Sequence, residues 1–246
     1  MTEWQPLIAR IAEGFGALGL EARLARLRAA LPGRLVFTTS LGLEDQAISH
    51  AIFSQDLDIA VVTLDTGRLF AETHNLWADT EARYGKKISA LHPRHDALEA
   101  LLATQGANGF YASVENRKAC CHARKVEPLS RALDGASSWI TGLRADQSAN
   151  RGAFAFIERD EARGLLKANP LLDWSREQVG DYVAAHDVPY NALHDSGFLS
   201  IGCQPCTRAV APGEPERAGR WWWEDEDKKE CGLHVASDGR LIRRSS

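Results

Sequence analysis

The sequence predicts an α/β domain in which helices cover both faces of a mostly parallel sheet. Runs rich in β-branched and apolar residues alternate with helical patterns through the first two thirds of the chain, an order typical of βαβ units. The chain has 246 residues, of which 44% are hydrophobic, so it is long enough for one such domain with a sizeable core. Its 29 basic and 33 acidic residues nearly cancel, which argues against general disorder.

The individual elements can be placed in order along the chain. Residues 3–31 have apolar side chains at helical spacing, which predicts one broken or two short amphipathic helices. Strand-like runs lie at 35–39, 59–64, 87–91, 138–142 and 154–159. Helical patterns cover 44–54, 71–84, 96–104 and 175–186. Because no clean period continues beyond position 210, we expect one domain over residues 1–210 and a loop-rich C-terminal segment over 211–246.

Composition excludes several classes of partner. The apolar stretches, such as the one around 59–62, are far shorter than the roughly 20 residues that a bilayer span needs. The first ten residues lack the basic and apolar regions of a secretory signal, so we expect a cytoplasmic protein. A formal net charge of −4 argues against binding to nucleic acid or a membrane surface by bulk electrostatics.

The turn Ser40-Leu-Gly-Leu-Glu-Asp45 joins the first predicted strand to a helix. Such a turn directs backbone N–H groups and the positive end of the helix dipole at one point, which suits an anionic ligand at the carboxyl end of the strand. The turn matches neither a Walker A loop nor the GxGxxG fingerprint. Taken alone, it is equally compatible with an ordinary βα turn that Ser40 caps.

Four of the five cysteines form two pairs, Cys120-Cys121 and Cys203-Gln-Pro-Cys206. Four thiolates satisfy the ligand count of a tetrahedral zinc site or an iron–sulfur cluster. Adjacent residues on a helix point about 100° apart, so a four-iron cluster suits the first pair better than a single ion. Zinc, buried structural cysteines and a redox pair remain alternatives.

The fifth cysteine, Cys231, lies in Lys-Lys-Glu-Cys-Gly-Leu-His near the chain end. Nearby cations favour a nucleophilic thiolate, while an inert surface thiol is the alternative. Scattered basic residues provide side chains that suit phosphate and sulfate oxygens, although most surface arginines are merely solvated. They are Arg117, Lys118, Arg124, Lys125, Arg144, Arg151, Arg217 and Arg220.

In combination these features resemble the assimilatory adenylyl-sulfate (APS) reductases, the iron–sulfur type of the APS/PAPS reductase family. The matching stretches are 39–45, 64–68, 120–128, 141–148, 203–208, 216–224 and 229–234. The double cysteine with Cys-x-x-Cys and the terminal Glu-Cys-Gly-Leu-His are the most specific of them. The resemblance implies an adenine nucleotide α-hydrolase-like fold with a modified pyrophosphate loop at 40–45.

The resemblance also implies a cofactor and a mechanism. Cys120, Cys121, Cys203 and Cys206 would bind one 4Fe-4S cluster per subunit. Cys231, on a mobile C-terminal segment, would attack the sulfur of APS, release AMP and become an S-sulfocysteine. Thioredoxin would then release sulfite, and a homo-oligomer is compatible with this reading.

Further site residues follow from the same resemblance. Lys125 and His234 would lie near the reacting groups, and the substrate would contact Ser40, Gly42, Glu44, Asp45, Asp65, Gly67, Arg68, Arg144, Arg151, Arg217 and Arg220. The alternatives are a PAPS or dual-substrate reductase, a non-catalytic zinc-binding adapter, and an ATP-pyrophosphatase-like ligase or sulfurtransferase. The last would need a Ser-Gly-Gly-x-Asp-Ser loop, from which Ser-Leu-Gly-Leu-Glu-Asp departs.

Overall fold

The computed structural model describes residues 4–147 and 154–225 of the chain. Its helices are α1 (Trp4–Ala12), α2 (Leu20–Ala30), α3 (Leu43–Ser54), α4 (Ala71–Tyr84), α5 (His95–Gln105), α6 (Val114–Cys121), α7 (Glu127–Ala132) and α8 (Arg176–Ala185). A π-helical turn, His122–Val126, joins α6 to α7. The N-terminal region thus forms two short helices, one of the two forms that the sequence predicts.

The strands form one six-stranded sheet. They are β1 (Arg34–Thr39), β2 (Ala60–Leu64), β3 (Ser89–Leu91), β4 (Ala136–Ile140), β5 (Ile157–Asp160) and β6 (Leu165–Ala168). Their order is β3-β2-β1-β4-β6-β5, and every neighbouring pair is parallel except β5 with β6. The prediction of a mostly parallel sheet is therefore confirmed.

Side chains of β1 alternate between two cores, one on each face of the sheet. Leu35 and Phe37 belong to the larger core, whereas Val36 belongs to the smaller one. This alternation follows from the two-residue period of a strand. Helix α3 contributes Ile48 to the larger core and α7 contributes Leu129 to the smaller one, so helices cover both faces.

Most predicted elements agree with the structure to within about two residues at each end. Strand β6 and helices α6 and α7 were not predicted. The four residues of β6 are all buried, so they show no alternation of polar and apolar side chains. Helix α6 is rich in polar residues and buries only Arg117 completely, so it shows no apolar stripe. In residues 4–147 and 154–225, no helix combines the length and apolarity needed to cross a membrane.

Candidate active site

A cleft lies at the carboxyl ends of β1, β2 and β4. It encloses about 1170 Å³, part of which is open solvent. Parallel sheets place their ligand sites at this edge because loops from several strands meet there. The polar and charged residues that line it include Ser40, Glu44, Asp45, Thr66, Lys125, Arg217 and Arg220.

The loop after β1 is held by Asp45. The Asp45 carboxylate accepts hydrogen bonds from the backbone N–H of Ser40 at 2.5 Å and from its hydroxyl at 2.7 Å. Leu41 between them has a φ of 59°, in the left-handed region that a leucine rarely adopts. Burial raises the pKa of Asp45 to about 7, although the bonds from Ser40 oppose the rise. The carboxyl group whose hydrogen bonds hold the loop therefore has a pKa near neutral pH.

Basic side chains from two other segments line the same cleft. Lys125 comes from the π-helical turn, and Arg217 and Arg220 come from the first part of the C-terminal segment. The Arg220 guanidinium carbon lies 4.8 Å from the ring centre of Trp221, which is 1% exposed. Three cations that line one cleft suit a multiply charged anion.

Arg144 is fully buried and lies among carboxylates. Its Nε atom is 2.7 Å from Glu44 Oε1 and its Nη2 atom is 2.6 Å from Glu216 Oε2, while Nη1 contacts Asp146. Burial opposes its charge, but the attraction of Glu44 and Glu216 outweighs this and raises the pKa of Arg144. Arg144 thus holds Glu44 at the cleft. The assignment of Arg144 as a substrate ligand stays a prediction.

Other predicted substrate residues are not part of the cleft lining. Gly42 lies in the loop after β1 and immediately precedes α3, where its carbonyl accepts from the N–H of Gln46. The Asp65 carboxylate accepts from the N–H of Gly67 and contacts His74 at 3.2 Å. Arg68 stacks over Phe110 beside the cysteines. Their roles stay predictions, and Arg151, Cys231 and His234 lie outside the described residues.

The four paired cysteines line one pocket next to the cleft, called here the thiol pocket. Cys120 and Cys121 end α6, and Cys203 and Cys206 come from the loop after α8. The fold thereby brings together chain positions that lie far apart in sequence. Phe110 and Trp221 pack against the sulfurs on the apolar side, and the flanking cations are Arg68, Arg117, Arg124 and Lys125.

The thiols differ in their electrostatic surroundings. Burial disfavours a Cys203 thiolate, but Lys125 and a hydrogen bond with Thr66 at 3.2 Å outweigh burial and lower its pKa. Burial and the neighbouring Cys203 raise the pKa of Cys206 to about 11. Burial also raises the pKa of Cys120. Neighbouring thiolates repel one another. A bound cation or cluster relieves this repulsion, because a thiol that coordinates a metal is deprotonated.

In residues 4–147 and 154–225, no group of three or more His, Cys, Asp or Glu side chains stands where it could hold a metal ion. The four cysteines still supply the ligand number of a tetrahedral zinc site or of an iron–sulfur cluster. The kind of metal group that they bind therefore stays a prediction.

Sequence reasoning missed some residues of this region. Thr66 bonds a thiol and lines the cleft. Gly142 lines the cleft beside Asp45. Both lie within stretches that match the family resemblance. The sequence therefore pointed to these stretches but did not indicate what the two residues do. Trp221 packs under the cleft cations, a contact that no spacing indicates.

Comparison with known proteins identifies the family. The model of the phosphoadenosine phosphosulfate reductase domain matches residues 34–209. The chain belongs to this family. A protein of Agrobacterium fabrum named adenosine 5′-phosphosulfate reductase is 58% identical over 219 residues, covering 89% of this chain and 84% of the relative. A protein of the same name from Allochromatium vinosum is 52% identical, covering 81% of this chain and 78% of that one.

Solved structures agree with this family assignment. The phosphoadenylyl-sulfate reductase of Candida auris in a phosphate complex superposes with a TM-score of 0.72 and 27% identity, covering 85% of this chain and 99% of that one. Yeast FAD synthetase with FAD gives a TM-score of 0.54 at 16% identity, covering 85% and 70%. The latter likeness concerns the fold alone. The predicted adenine nucleotide α-hydrolase-like architecture is thereby confirmed.

Proposed function

We propose that this protein reduces adenosine 5′-phosphosulfate to sulfite and AMP. The observation that carries the proposal is the convergence of Lys125, Arg217 and Arg220 on the cleft that the Ser40 loop lines. A phosphosulfate needs such cations because it presents several negatively charged oxygens in a row. Family membership and relatives named adenosine 5′-phosphosulfate reductase support the same substrate.

The proposed reaction has two steps. In the first, the Cys231 thiolate attacks the sulfur atom of the substrate, a sulfur–sulfur bond forms, the sulfur–oxygen bond breaks, and AMP leaves with that bond's electron pair. The enzyme then carries an S-sulfocysteine. In the second, one thiol of reduced thioredoxin attacks the Cys231 sulfur, sulfite leaves, and the second thiol closes the thioredoxin disulfide and frees Cys231. Two electrons pass from thioredoxin to the sulfonate sulfur.

The cleft residues act by position and charge. Negative charge grows on the AMP oxygen as the sulfur–oxygen bond breaks, and preorganised cations stabilise that charge most where water is excluded. Lys125, Arg217 and Arg220 hold this role, while Ser40 and the loop after β1 orient the substrate. His234 is assigned to the neighbourhood of the nucleophile.

We further propose that the thiol pocket holds one 4Fe-4S cluster. The donor set fits, because Cys120, Cys121, Cys203 and Cys206 line one pocket flanked by cations and aromatic rings. When bound, the cluster would change the electrostatic potential in the neighbouring cleft. Lys125 connects the two sites, since it lines both the thiol pocket and the cleft.

The C-terminal segment, residues 211–246, is proposed to deliver Cys231. Its first part packs against the domain, with Ala218 and Trp221 buried. Cys231 would enter the cleft for the first step and meet thioredoxin for the second. We propose a cytoplasmic location, because the proposed reaction uses reduced thioredoxin and free thiols, which a reducing compartment maintains.

The decisive experiment is intact mass of the protein after incubation with the substrate and no reductant. We expect a gain of one sulfonate that a thiol reverses, and no gain in Cys231→Ser. Truncation after Asp225 removes Cys231 but keeps Glu224 and Trp221, so it should retain AMP binding while abolishing turnover. Absence of any mass gain in the wild-type protein contradicts the mechanism.

Two further measurements distinguish the alternatives. Side-by-side sulfite release from APS and from its 3′-phosphorylated form, PAPS, tests the substrate, and we expect APS to react faster. Metal analysis tests the cofactor, because a cluster makes the protein brown with about four iron atoms per chain, whereas a zinc adapter is colourless. A colourless zinc protein without sulfite release supports the adapter.

A further inference from the structure

A buried ion pair joins the beginning of the C-terminal segment to the helix that carries two of the thiols. The Nε and Nη2 atoms of Arg117 on α6 donate to the two carboxylate oxygens of Glu224 at 3.0 and 2.7 Å. The side chains are only 1% and 3% exposed. In this two-bond geometry an arginine holds a carboxylate in a defined orientation as well as balancing its charge.

Arg117 also contacts the thiol pocket. It lies four residues before Cys121, on the same face of α6, and lines the thiol pocket together with that cysteine. The guanidinium carbon stands 4.8 Å from the ring centre of Trp221. Burial opposes the charge of Arg117, but Glu224 and Cys121 outweigh burial and raise its pKa. One cation on the thiol helix therefore contacts both Trp221 and Glu224, in the segment that leads to Cys231.

The position of Glu224 limits where Cys231 can act. Cys231 follows Glu224 by seven residues. An extended chain spans about 3.5 Å per residue, so the two α-carbons are at most about 25 Å apart. Movement of Glu224 would therefore move the whole range of positions that the Cys231 thiol can reach.

Stability alone does not account well for this pair. Replacing a buried ion pair with apolar side chains is often neutral or stabilising, so such a pair is weak evidence for a stabilising role. We propose that Arg117 is a positioning residue that anchors the C-terminal segment at Glu224, so that the chain leading to Cys231 departs from a fixed point beside the thiol pocket. This inference rests on the proposed function, in which Cys231 attacks the substrate.

The first test measures the anchor itself, without any reaction. Hydrogen exchange of the backbone amides at 221–225 is compared in the wild-type holoenzyme, Glu224→Gln, Arg117→Met and the double variant. We expect at least about tenfold faster exchange in each single variant and no further increase in the double, because the two residues act as one unit. Asp187→Asn, which removes the exposed partner of Arg83, is the matched control and should leave this exchange unchanged.

The second test measures delivery of the thiol. The rate of Cys231 sulfonation in a single turnover should fall about tenfold or more in Glu224→Gln, while iron content and AMP affinity stay within about twofold of wild type. Unchanged exchange or an unchanged sulfonation rate overturns the anchor. Loss of iron and of AMP binding together with the rate shows a merely structural pair and also overturns it. If the wild-type protein itself is not sulfonated, the proposed function fails, and the exchange measurement still decides the anchor.

Discussion

A β-carbon at Gly142 would stand 2.2 Å from Oδ1 of Asp45. No real side chain tolerates that approach, so the loop after β4 and the start of α3 pack closely only because residue 142 has no side chain. The Asp45 carboxylate in turn accepts two bonds from Ser40. Gly142 therefore determines the conformation of the loop after β1, although the two loops follow different strands.

Gly142→Ala should weaken AMP binding by about tenfold or more, because Asp45 must move and release Ser40. Isothermal titration calorimetry with AMP measures this directly. Gly180→Ala is the matched control, since nothing lies within 4 Å of a β-carbon at that position in α8. This control should bind AMP normally and be slightly more stable, because alanine favours a helix by about 1 kcal/mol over glycine. Equal affinity in both variants would contradict the role of Gly142.

Nucleotide affinity should fall as the pH rises through about 7. Burial raises the pKa of Asp45 to about 7, so its carboxyl group becomes negatively charged in the cleft over this range and repels the anionic ligand. The phosphate of AMP also titrates near pH 6, so Asp45→Asn is the necessary reference. We expect the affinities of wild type and variant to diverge above pH 7. Parallel pH profiles would exclude Asp45 as the titrating group.

The same shift has a consequence for stability. The pKa of Asp45 is raised in the native state above its ordinary value of 3.8, so the native state binds more protons than the unfolded state between these pH values. The free energy of unfolding should therefore decline as the pH rises from about 4 to about 7. In Asp45→Asn this decline should be smaller, as urea unfolding at several pH values can show.

Gly202→Ala should disturb Arg220 without unfolding the domain. A β-carbon at 202 would stand 2.2 Å from Nη2 of Arg220, the end of a flexible side chain that can move away. We expect the urea midpoint to change little and the KM for the substrate to rise about tenfold, since a displaced guanidinium no longer meets the anion. Adding Arg220→Ala to this variant should cause little further loss. A full additive loss would show that Gly202 acts through another group.

Arg144→Met should lower the free energy of unfolding by about 3 to 5 kcal/mol, because it removes the cation that the carboxylates of Glu44 and Glu216 share in a buried site. Arg176, at 3.6 Å from Glu216, remains but does not reach both carboxylates in the structure. Arg83→Met removes a largely exposed ion pair with Asp187 and should cost less than about 1 kcal/mol. Urea unfolding compares the two variants. Similar stabilities, with AMP binding lost only in Arg144→Met, would instead favour the substrate contact predicted from the sequence.

The class of the fold could be predicted from local pattern because each strand and helix leaves a short-range signature. The run Ala60–Leu64 and the helix Ala71–Tyr84 match the predicted elements closely. Strand β6 left no such signature, since all four of its residues are buried. Strand order and the antiparallel β5 depend on contacts between distant segments, which no local period contains.

The sequence by itself determined which chemical groups this protein has: four paired cysteines, a fifth thiol and a set of cations in family order. Only the tertiary structure decided how each cation is used. Arg144 and Arg217 look alike in sequence, yet Arg144 is buried among carboxylates while Arg217 lines the cleft. The physical reason is that a cation's partner depends on which charged groups the strand order brings within a few ångströms. Residue type sets the charge, and packing sets its neighbours.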